Sequence, residues 1–238
     1  MVRLVKVLQV GRLHYGSAWK LQRILANRHL SVLKNRGAME ETADTLILAE
    51  HEPVYTIGIR KRDYPEELVE KLKQTGAEFF RTNRGGLITF HGPGQLVAYP
   101  ILNLKTYEQN VKWYVAQLEQ VTMDTCRIFG VATRRCEHTG VWVGDNKICA
   151  LGIHGSRFIM THGLALNCNV DLSWFLHIVP CGIEGKGVTS LSHELDRSVE
   201  VEDVVPVFLN SFSKLFQCDL CDYPRASAEK ILASVRDV

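Results

Sequence analysis

The sequence predicts an α+β fold with a mixed or antiparallel sheet. Predicted strands and helices follow one another without a regular strand–helix–strand alternation, which argues against a doubly wound parallel sheet. The clearest helix, 108–130, places its apolar residues on one stripe. The chain has 238 residues, of which 46% are hydrophobic and 23% charged, as in ordinary soluble globular proteins. Because we find no repeat or linker, we expect a single domain over 1–238, with 222–238 as a flexible tail.

The individual elements follow from local patterns. The stretch 4–11 alternates and predicts a strand, whereas 17–34 repeats its apolar residues with a helical period. Pro65, followed by two glutamates, predicts the start of a helix. Because proline lacks an N–H donor, Pro100 places the predicted strand 95–104 at a sheet edge or at a bulge. Further strands are predicted at 45–51, 54–58, 78–83, 86–90, 140–144, 147–154 and 158–170, and a late helix at 199–217.

Composition excludes several classes of protein. A net charge of +2 gives no bulk argument for nucleic-acid binding. No apolar run approaches the roughly 20 residues of a membrane-spanning helix, and no secretory signal is recognised. Seven cysteines at irregular spacing are not typical of a disulfide framework and favour a reducing compartment. We interpret the C-x-x-C of Cys218 and Cys221 as two unrelated thiols, because no second pair of zinc ligands stands out.

Charge is distributed unevenly at the N-terminus. Residues 1–39 contain eight Lys or Arg residues and no Asp or Glu. Mitochondrial transit peptides are basic, poor in acids and amphipathic. A basic face on the first folded strand and helix would have the same composition, so the pattern leaves both interpretations open.

The stretch HIVPCGIEGKGVTSL, 177–191, places Cys181 between a proline and a glycine. Pro180 fixes its own φ and Gly182 permits backbone angles that are closed to other residues, so this is a poor place for a core cysteine. A loop of this kind can hold one side chain at a set angle beside free N–H groups. On these grounds alone Cys181 is a buried hydrophobe, a metal ligand, a disulfide partner or a nucleophile.

Two further stretches are unusual. RGGLITFHGPGQLVAYP, 84–100, holds four glycines within eleven residues, yet it matches neither a Walker loop nor a dinucleotide-binding motif. KICALGIHGSRFIMTHGLALN, 147–167, begins with Lys147 in a strand-like run. A lysine in such a run usually lies on the solvent face of an edge strand. A lysine beside a thiol, however, lowers the thiol pKa and enriches the reactive thiolate.

Together these three blocks, in this order, resemble the signature segments of the lipoyl(octanoyl) transferases of lipoate biosynthesis. The resemblance runs from about residue 3 to about residue 220. The amino-acid sequence of the 140–181 region is similar to that of animal members of the family. It implies the α+β fold that this family shares with biotin and lipoate protein ligases.

The resemblance also implies roles for individual residues. Cys181 matches the nucleophile that carries the acyl thioester, and Lys147 matches the lysine that lowers the pKa of that thiol. His91, His162 and His177 compete with Lys147 for the role of base, and the resemblance favours Lys147. The residues that match the acyl pocket come from three segments: Arg84, Gly85, Gly86, Leu87, Ile88, Thr89, Phe90 and His91; Ala150, Leu151 and Gly152; and Gly163, Leu164 and Ala165.

The implied reaction moves an octanoyl group from the phosphopantetheine thiol of acyl carrier protein to a lysine of a lipoyl domain. The implied acceptors are the 2-oxoacid dehydrogenase E2 subunits and the glycine cleavage H protein. No cofactor and no metal are implied, and the implied location is the mitochondrial matrix, with a bacterial-type cytoplasm as the alternative. Three rival functions remain: an ATP-dependent lipoate or biotin protein ligase of the same fold, a cysteine hydrolase of acyl thioesters, and a non-catalytic acyl-binding module.

Overall fold

The computed structural model of the chain describes residues 3–34, 43–60, 64–179 and 185–235. The strands are β1 (Arg3–Leu13), β2 (Asp44–His51), β3 (Val54–Ile57), β4 (Glu78–Arg81), β5 (Thr89–His91), β6 (Gln95–Ile101), β7 (Val141–Val143), β8 (Asn146–Ser156), β9 (Ile159–Asn167), β10 (Gly187–Val188) and β11 (Cys218–Asp222). The helices are α1 (Tyr15–Lys34), α2 (Glu66–Gln74), α3 (Val111–Ile128), α4 (Leu191–Leu195), α5 (Val201–Phe216) and α6 (Arg225–Ala233), with short 3-10 helices at Leu104–Thr106 and Leu172–His177.

Most of the strands form one large mixed sheet. Its order is β10-β8-β9-β6-β2-β1-β11, and β7 also pairs with β8. The pairs β1–β11, β1–β2 and β8–β10 are parallel, whereas β2–β6, β6–β9 and β8–β9 are antiparallel. A second, smaller sheet has the order β4-β3-β5. The predicted α+β class with a mixed sheet is therefore confirmed.

Helices cover both faces of the large sheet. Leu96 and Ala98 of β6 pack in a core with α3 and α5, whereas Val97, Tyr99 and Ile101 pack in a second core with α1 and α6. Successive side chains of a strand point to opposite faces, so a strand buried on both sides needs a continuous apolar run. None of the helices in the described residues is long and apolar enough to cross a membrane.

Pro100 does not lie on an edge strand, so the edge alternative of that prediction is wrong. Strand β6 lies between β2 and β9 in the interior of the large sheet. Its pairing with β9 stops at Ala98, and the same register places His162 opposite Pro100. His162 has a positive φ of 58° and donates its N–H to Gln22 Oε1 at 2.7 Å. The missing proline N–H is thus accommodated by a local break in an interior ladder.

The prediction of a flexible tail over 222–238 is also corrected, over the described part of that range. Asp222 ends β11, and Tyr223 donates its N–H to the carbonyl of Val7. Helix α6 follows, and Ile231 and Val235 are buried in the core that it shares with α1. Burial of these apolar side chains against the sheet holds the C-terminal segment in place.

Candidate active site

A cavity lies where the small sheet meets the large one. The residues that line it come from three stretches distant in sequence, together with the start of α1. They are Tyr15, Arg84, Gly86, Leu87, Thr89, His91, Val97, Tyr99, Ala150, Leu151, Gly152, His162, Gly163, Leu164 and Ala165. The fold therefore brings residues of two of the unusual sequence segments, 84–100 and 147–167, to one place.

Glycines allow these segments to approach each other. A Cβ at Gly152 would lie 2.9 Å from Arg84 Cδ and 2.9 Å from the Gly85 carbonyl oxygen. A Cβ at Gly163 would overlap the Ala98 carbonyl oxygen and lie 2.8 Å from Pro100 Cδ. Because real Cβ atoms do not come so close to such neighbours, only glycine fits here without moving a strand.

Most of the pocket residues that the family resemblance implies line the cavity, and three do not. Eleven of them line the cavity: Arg84, Gly86, Leu87, Thr89, His91, Ala150, Leu151, Gly152, Gly163, Leu164 and Ala165. Ile88 and Phe90 instead pack in the core of the small sheet, because alternate side chains of β5 point to opposite faces. Gly85 lies on the outer rim, where it lines a neighbouring groove and donates its N–H to the Ile153 carbonyl.

Arg84 is buried and holds the loop around it. Its Nη2 donates to the carbonyl oxygens of Thr56 at 2.7 Å and Leu87 at 3.0 Å, and to Thr56 Oγ1 at 2.8 Å. Its Nη1 donates to the Gly85 carbonyl at 2.9 Å. A guanidinium with this many acceptors stiffens the cavity wall and satisfies buried carbonyls.

Uncharged aromatic and imidazole side chains lie around the cavity, near the charged Arg84 guanidinium. Tyr15 stacks on His91 with parallel rings 6.1 Å apart, and the Tyr99 hydroxyl lies 2.7 Å from His51 Nε2. Burial raises the pKa of Tyr15 to about 12. Burial lowers the pKa of His51 to about 4, and lowers the pKa values of His91 and His162 to about 3. These three imidazoles are uncharged at physiological pH.

Lys147 lies near the start of β8 and lines two neighbouring pockets. It is buried, although a lysine in such a run is more often exposed. Its Nζ lies 4.8 Å from the centre of the Trp142 ring, and Nζ makes no hydrogen bond or ion pair with another described residue. The face of an indole ring attracts a cation. The amino group is thus held beside an aromatic face and leaves its hydrogen-bonding capacity for a reactant.

The loop before β7 fits around this lysine. Gly140 has a positive φ of 129°, and a Cβ there would lie 3.2 Å from Lys147 Cε. Its N–H donates to Glu119 Oε1 at 3.0 Å, and Arg135 Nε donates to Glu119 Oε2 at 3.1 Å. The buried Glu119 carboxylate therefore ties the loop to α3 and keeps space for the lysine stem.

A smaller cavity adjoins Lys147. Phe175 and Val188 line it, together with Gln95 and Asn167. Cys181 lies outside the described residues, in the segment 180–184 that separates Phe175 from Val188. Both flanks of that segment therefore converge on Lys147.

Four other thiols are unsuited to nucleophilic chemistry. Burial raises the pKa of Cys149 to about 12 and of Cys218 to about 11, and it raises the pKa values of Cys126 and Cys168 further. A raised pKa leaves little thiolate at neutral pH. His177, the third histidine considered as a base, is exposed at the end of a 3-10 helix.

Some residues of the site were not singled out by sequence reasoning. Trp142, Gln95 and Asn167 belong to ordinary strand patterns, and only their position beside Lys147 sets them apart. Tyr15 begins α1, far from the three segments in sequence. Among the described residues no group of three or more His, Cys, Asp or Glu side chains could hold a metal ion.

Comparison with known proteins identifies the family. Residues 14–213 match the lipoyl protein ligase A/B catalytic domain. The chain is 54% identical over 216 residues to the mitochondrial octanoyl-(acyl-carrier-protein):protein N-octanoyltransferase LIPT2 of Danio rerio, which covers 91% of this chain and 94% of the relative. It is 44% identical over 224 residues to the Homo sapiens protein of the same name, over 91% of this chain and 95% of the relative.

The fold agrees with that assignment. The crystal structure of lipoate-protein ligase A bound with ATP superposes with a TM-score of 0.69, at 13% identity, over 100% of this chain and 95% of that chain. At this identity the similarity shows the fold alone, and it confirms the ligase-type fold that the sequence resemblance implies. The chain therefore belongs to the lipoyl protein ligase A/B catalytic domain family and, within it, to the octanoyltransferases, which are acyltransferases of lipoate biosynthesis.

Proposed function

We propose that this octanoyltransferase works through a thioester on Cys181, with Lys147 as its proton-transfer partner. The observation that carries the proposal is the arrangement of the site. A glycine-walled, mainly apolar cavity lies next to a smaller cavity that a buried lysine lines. Both flanks of the Cys181 segment converge on that lysine.

The cavity suits an eight-carbon acyl chain. Tyr15, Val97 and Tyr99, which are buried, line it, and its walls are mainly apolar. Each CH₂ group buried there would contribute about 0.8 kcal/mol. A mainly apolar cavity would bind the chain and leave the carbonyl carbon towards Lys147, which lines the adjoining cavity.

The chemistry then has two steps. The Cys181 thiolate attacks the thioester carbonyl of the donor, an S–C bond forms, and the departing pantetheine sulfur takes a proton from the Lys147 ammonium. The acceptor amine next attacks the Cys181 thioester, and neutral Lys147 takes the proton that the new amide nitrogen loses. The cysteine thiolate is regenerated, and no ATP is consumed because the donor thioester is already activated.

The electrostatics support this division of roles. An ammonium beside a thiol favours the thiolate by Coulomb attraction, most strongly where water is excluded. Cys149 and Cys168 are too deeply buried to compete as nucleophiles, since burial raises their pKa values. His91 and His162 have pKa values of about 3 and are poor bases at neutral pH.

The names of the relatives support the partners and the compartment that we propose for this chain. Animal relatives are named as mitochondrial enzymes that use octanoyl-acyl carrier protein and a protein acceptor. For this chain we propose the mitochondrial matrix as the location, and the phosphopantetheine arm of acyl carrier protein as the donor, with no further cofactor. The acceptors would be lipoyl domains of 2-oxoacid dehydrogenase E2 subunits and the glycine cleavage H protein.

Intact-protein mass spectrometry after incubation with octanoyl-acyl carrier protein tests the mechanism. We expect an octanoyl adduct that hydroxylamine removes, that peptide mapping places on Cys181, and that Cys181→Ser does not form. An adduct on Cys149 or Cys168 would contradict the assignment.

Two further assays separate the rival functions. Octanoate-dependent exchange between ATP and pyrophosphate would indicate a ligase, and we expect none. Release of free octanoate in the presence of a lipoyl domain would indicate a hydrolase, whereas we expect octanoyl-lysine as the main product. A chain that binds octanoyl groups without forming any adduct would be an acyl-binding module.

A further inference from the structure

A continuous chain of buried hydrogen bonds crosses from the small sheet to the large one. Arg84 Nη2 donates to Thr56 Oγ1 at 2.8 Å, and Thr56 Oγ1 lies 3.4 Å from His91 Nε2. His91 Nδ1 lies 2.7 Å from Gln95 Oε1, and Gln95 Nε2 donates to Asn167 Oδ1 at 2.8 Å. We call this chain, with Thr189 at its end, the amide relay.

The relay ends on the backbone that faces Lys147. Asn167 Nδ2 donates to the Thr189 carbonyl oxygen at 2.8 Å, and the Thr189 N–H donates to the Lys147 carbonyl at 3.0 Å. Immediately before Thr189, β10 pairs with β8, so that Val188 lies opposite Lys147. The last link therefore holds β10 against the strand that carries the lysine.

The chemistry of its two ends gives the relay a direction. The Arg84 guanidinium can only donate hydrogen bonds, and the Thr189 carbonyl oxygen can only accept them. Every group between them must accept on the side of Arg84 and donate on the side of Thr189. His91 is therefore the tautomer protonated on Nδ1, and the amides of Gln95 and Asn167 have one orientation each.

We propose that Gln95 and Asn167 are positioning residues, which hold β10 in the register that the transfer centre at Lys147 and Cys181 requires. This inference rests on the proposed function, because Cys181 lies on the segment that leads into β10. Both amides are buried and line the small cavity beside Lys147. Buried amides contribute little net stability, but removing one partner leaves the other unsatisfied at a substantial cost.

Replacing one amide by a carboxyl group of the same shape tests the direction of the relay. At a pH where the introduced carboxyl group is ionised, the Asn167→Asp carboxylate still accepts from Gln95, but it presents an oxygen to the Thr189 carbonyl and cannot donate. We expect kcat for octanoyl transfer to fall by about 10²-fold, the effect of a displacement of about 1 Å at a reacting group. We expect KM for octanoyl-acyl carrier protein to stay within about threefold, because the acyl cavity keeps its lining.

Amide hydrogen exchange gives a readout that does not depend on activity. The Thr189 N–H should exchange faster in Asn167→Asp than in the unsubstituted protein, because the strand that it anchors is loosened. Thr125→Val is the matched control. Thr125 is a buried polar residue of α3 whose hydroxyl bonds within the helix, and we expect wild-type kcat and wild-type exchange at Thr189.

The possible outcomes separate this inference from the proposed function. A folded Asn167→Asp variant with unchanged exchange at Thr189, or with unchanged kcat, overturns the relay. If Asn167→Asp does not fold, Gln95→Met decides by the same two measurements. If neither variant folds, the relay is required for the fold itself and the positioning role is overturned. Absence of an octanoyl adduct in the unsubstituted protein refutes the Cys181 mechanism, and Thr189 exchange still tests the relay's hold on β10.

Discussion

The two buried cations of this region differ in how they are held. Arg84 lies among Tyr15, Tyr99 and the uncharged buried histidines, and its guanidinium donates to Thr56, Gly85 and Leu87. Lys147 is buried beside Trp142, and its Nζ lacks a hydrogen-bond or ion-pair partner among the described residues. A cation whose donors are engaged stiffens the structure around it, whereas a cation with free donors can bind a reacting group. The difference favours a structural role for Arg84 and the proposed chemical role for Lys147.

The largest effect is expected from removing the charge of Lys147. Lys147→Met keeps most of the side-chain volume and removes the amine. We expect octanoyl transfer to fall by about 10²–10⁴-fold, the range for loss of a general acid–base group. The pH profile of Cys181 alkylation should move to higher pH.

Lys147→Arg separates the charge of this residue from its proton transfer. Arginine keeps a cation beside the thiol but cannot exchange a proton at working pH. We expect part of the alkylation shift to be restored, while most of the transfer activity stays lost. An unchanged alkylation profile in Lys147→Met would show that the thiolate is stabilised by other groups.

The next effect, on stability, is expected at a buried histidine of the cavity. His162 has a pKa of about 3 when folded and about 6.5 in an unfolded chain. As pH falls below about 6.5, the unfolded state takes up a proton that the folded state does not, so stability falls by about 1.4 kcal/mol per pH unit. His162→Asn removes this loss, and asparagine tolerates the positive φ at this position.

Urea unfolding at pH 7 and at pH 5 measures the difference. The stability of His162→Asn relative to the unsubstituted protein should improve as pH falls. The exposed His177 serves as control, and His177→Asn should show little change in relative stability. A relative stability of His162→Asn that is independent of pH would mean that His162 is protonated in the folded state.

An effect of about tenfold is expected on the preference for acyl chain length. Val97 is buried and lines the cavity, and Val97→Ala would extend the cavity there. A hydrophobic pocket discriminates one methylene by about 10-fold or more, so the ratio of kcat/KM for decanoyl over octanoyl donors should rise by about that factor. Val115→Ala, on the neighbouring groove, is the control and should leave the ratio unchanged. An unchanged ratio in Val97→Ala would place the chain terminus elsewhere.

The smallest effect is expected at the aromatic ring beside Lys147. A cation–π contact contributes about 0.5–2 kcal/mol, and a phenyl ring attracts a cation less than an indole ring does. In Trp142→Phe we therefore expect a few-fold loss of transfer activity. Trp113→Phe, at a tryptophan remote from Lys147, should have no effect. A Trp142→Phe variant with full activity would show that the ring only fills space.

The amino-acid sequence was sufficient to predict most strands and helices and to single out the unusual segments. Period-two alternation and helical stripes are local properties, so strands such as 45–51 and helices such as 108–130 could be predicted with small errors at their ends. Glycines at 152 and 163 could be singled out as points of close approach, since only glycine lacks a Cβ. The order of the three blocks was specific enough to identify the family, which the comparisons confirm.

Only the tertiary structure decided which of these residues meet. Strand alternation turns Ile88 and Phe90 away from the cavity, although they lie between residues that line it. Lys147 is buried because β7, β9 and β10 all pair with β8, whereas its local pattern resembles an exposed edge strand. Gln95 and Asn167 are 72 residues apart, and no local pattern marks them as partners. Burial and long-range pairing depend on the register of distant strands, which a local pattern does not contain.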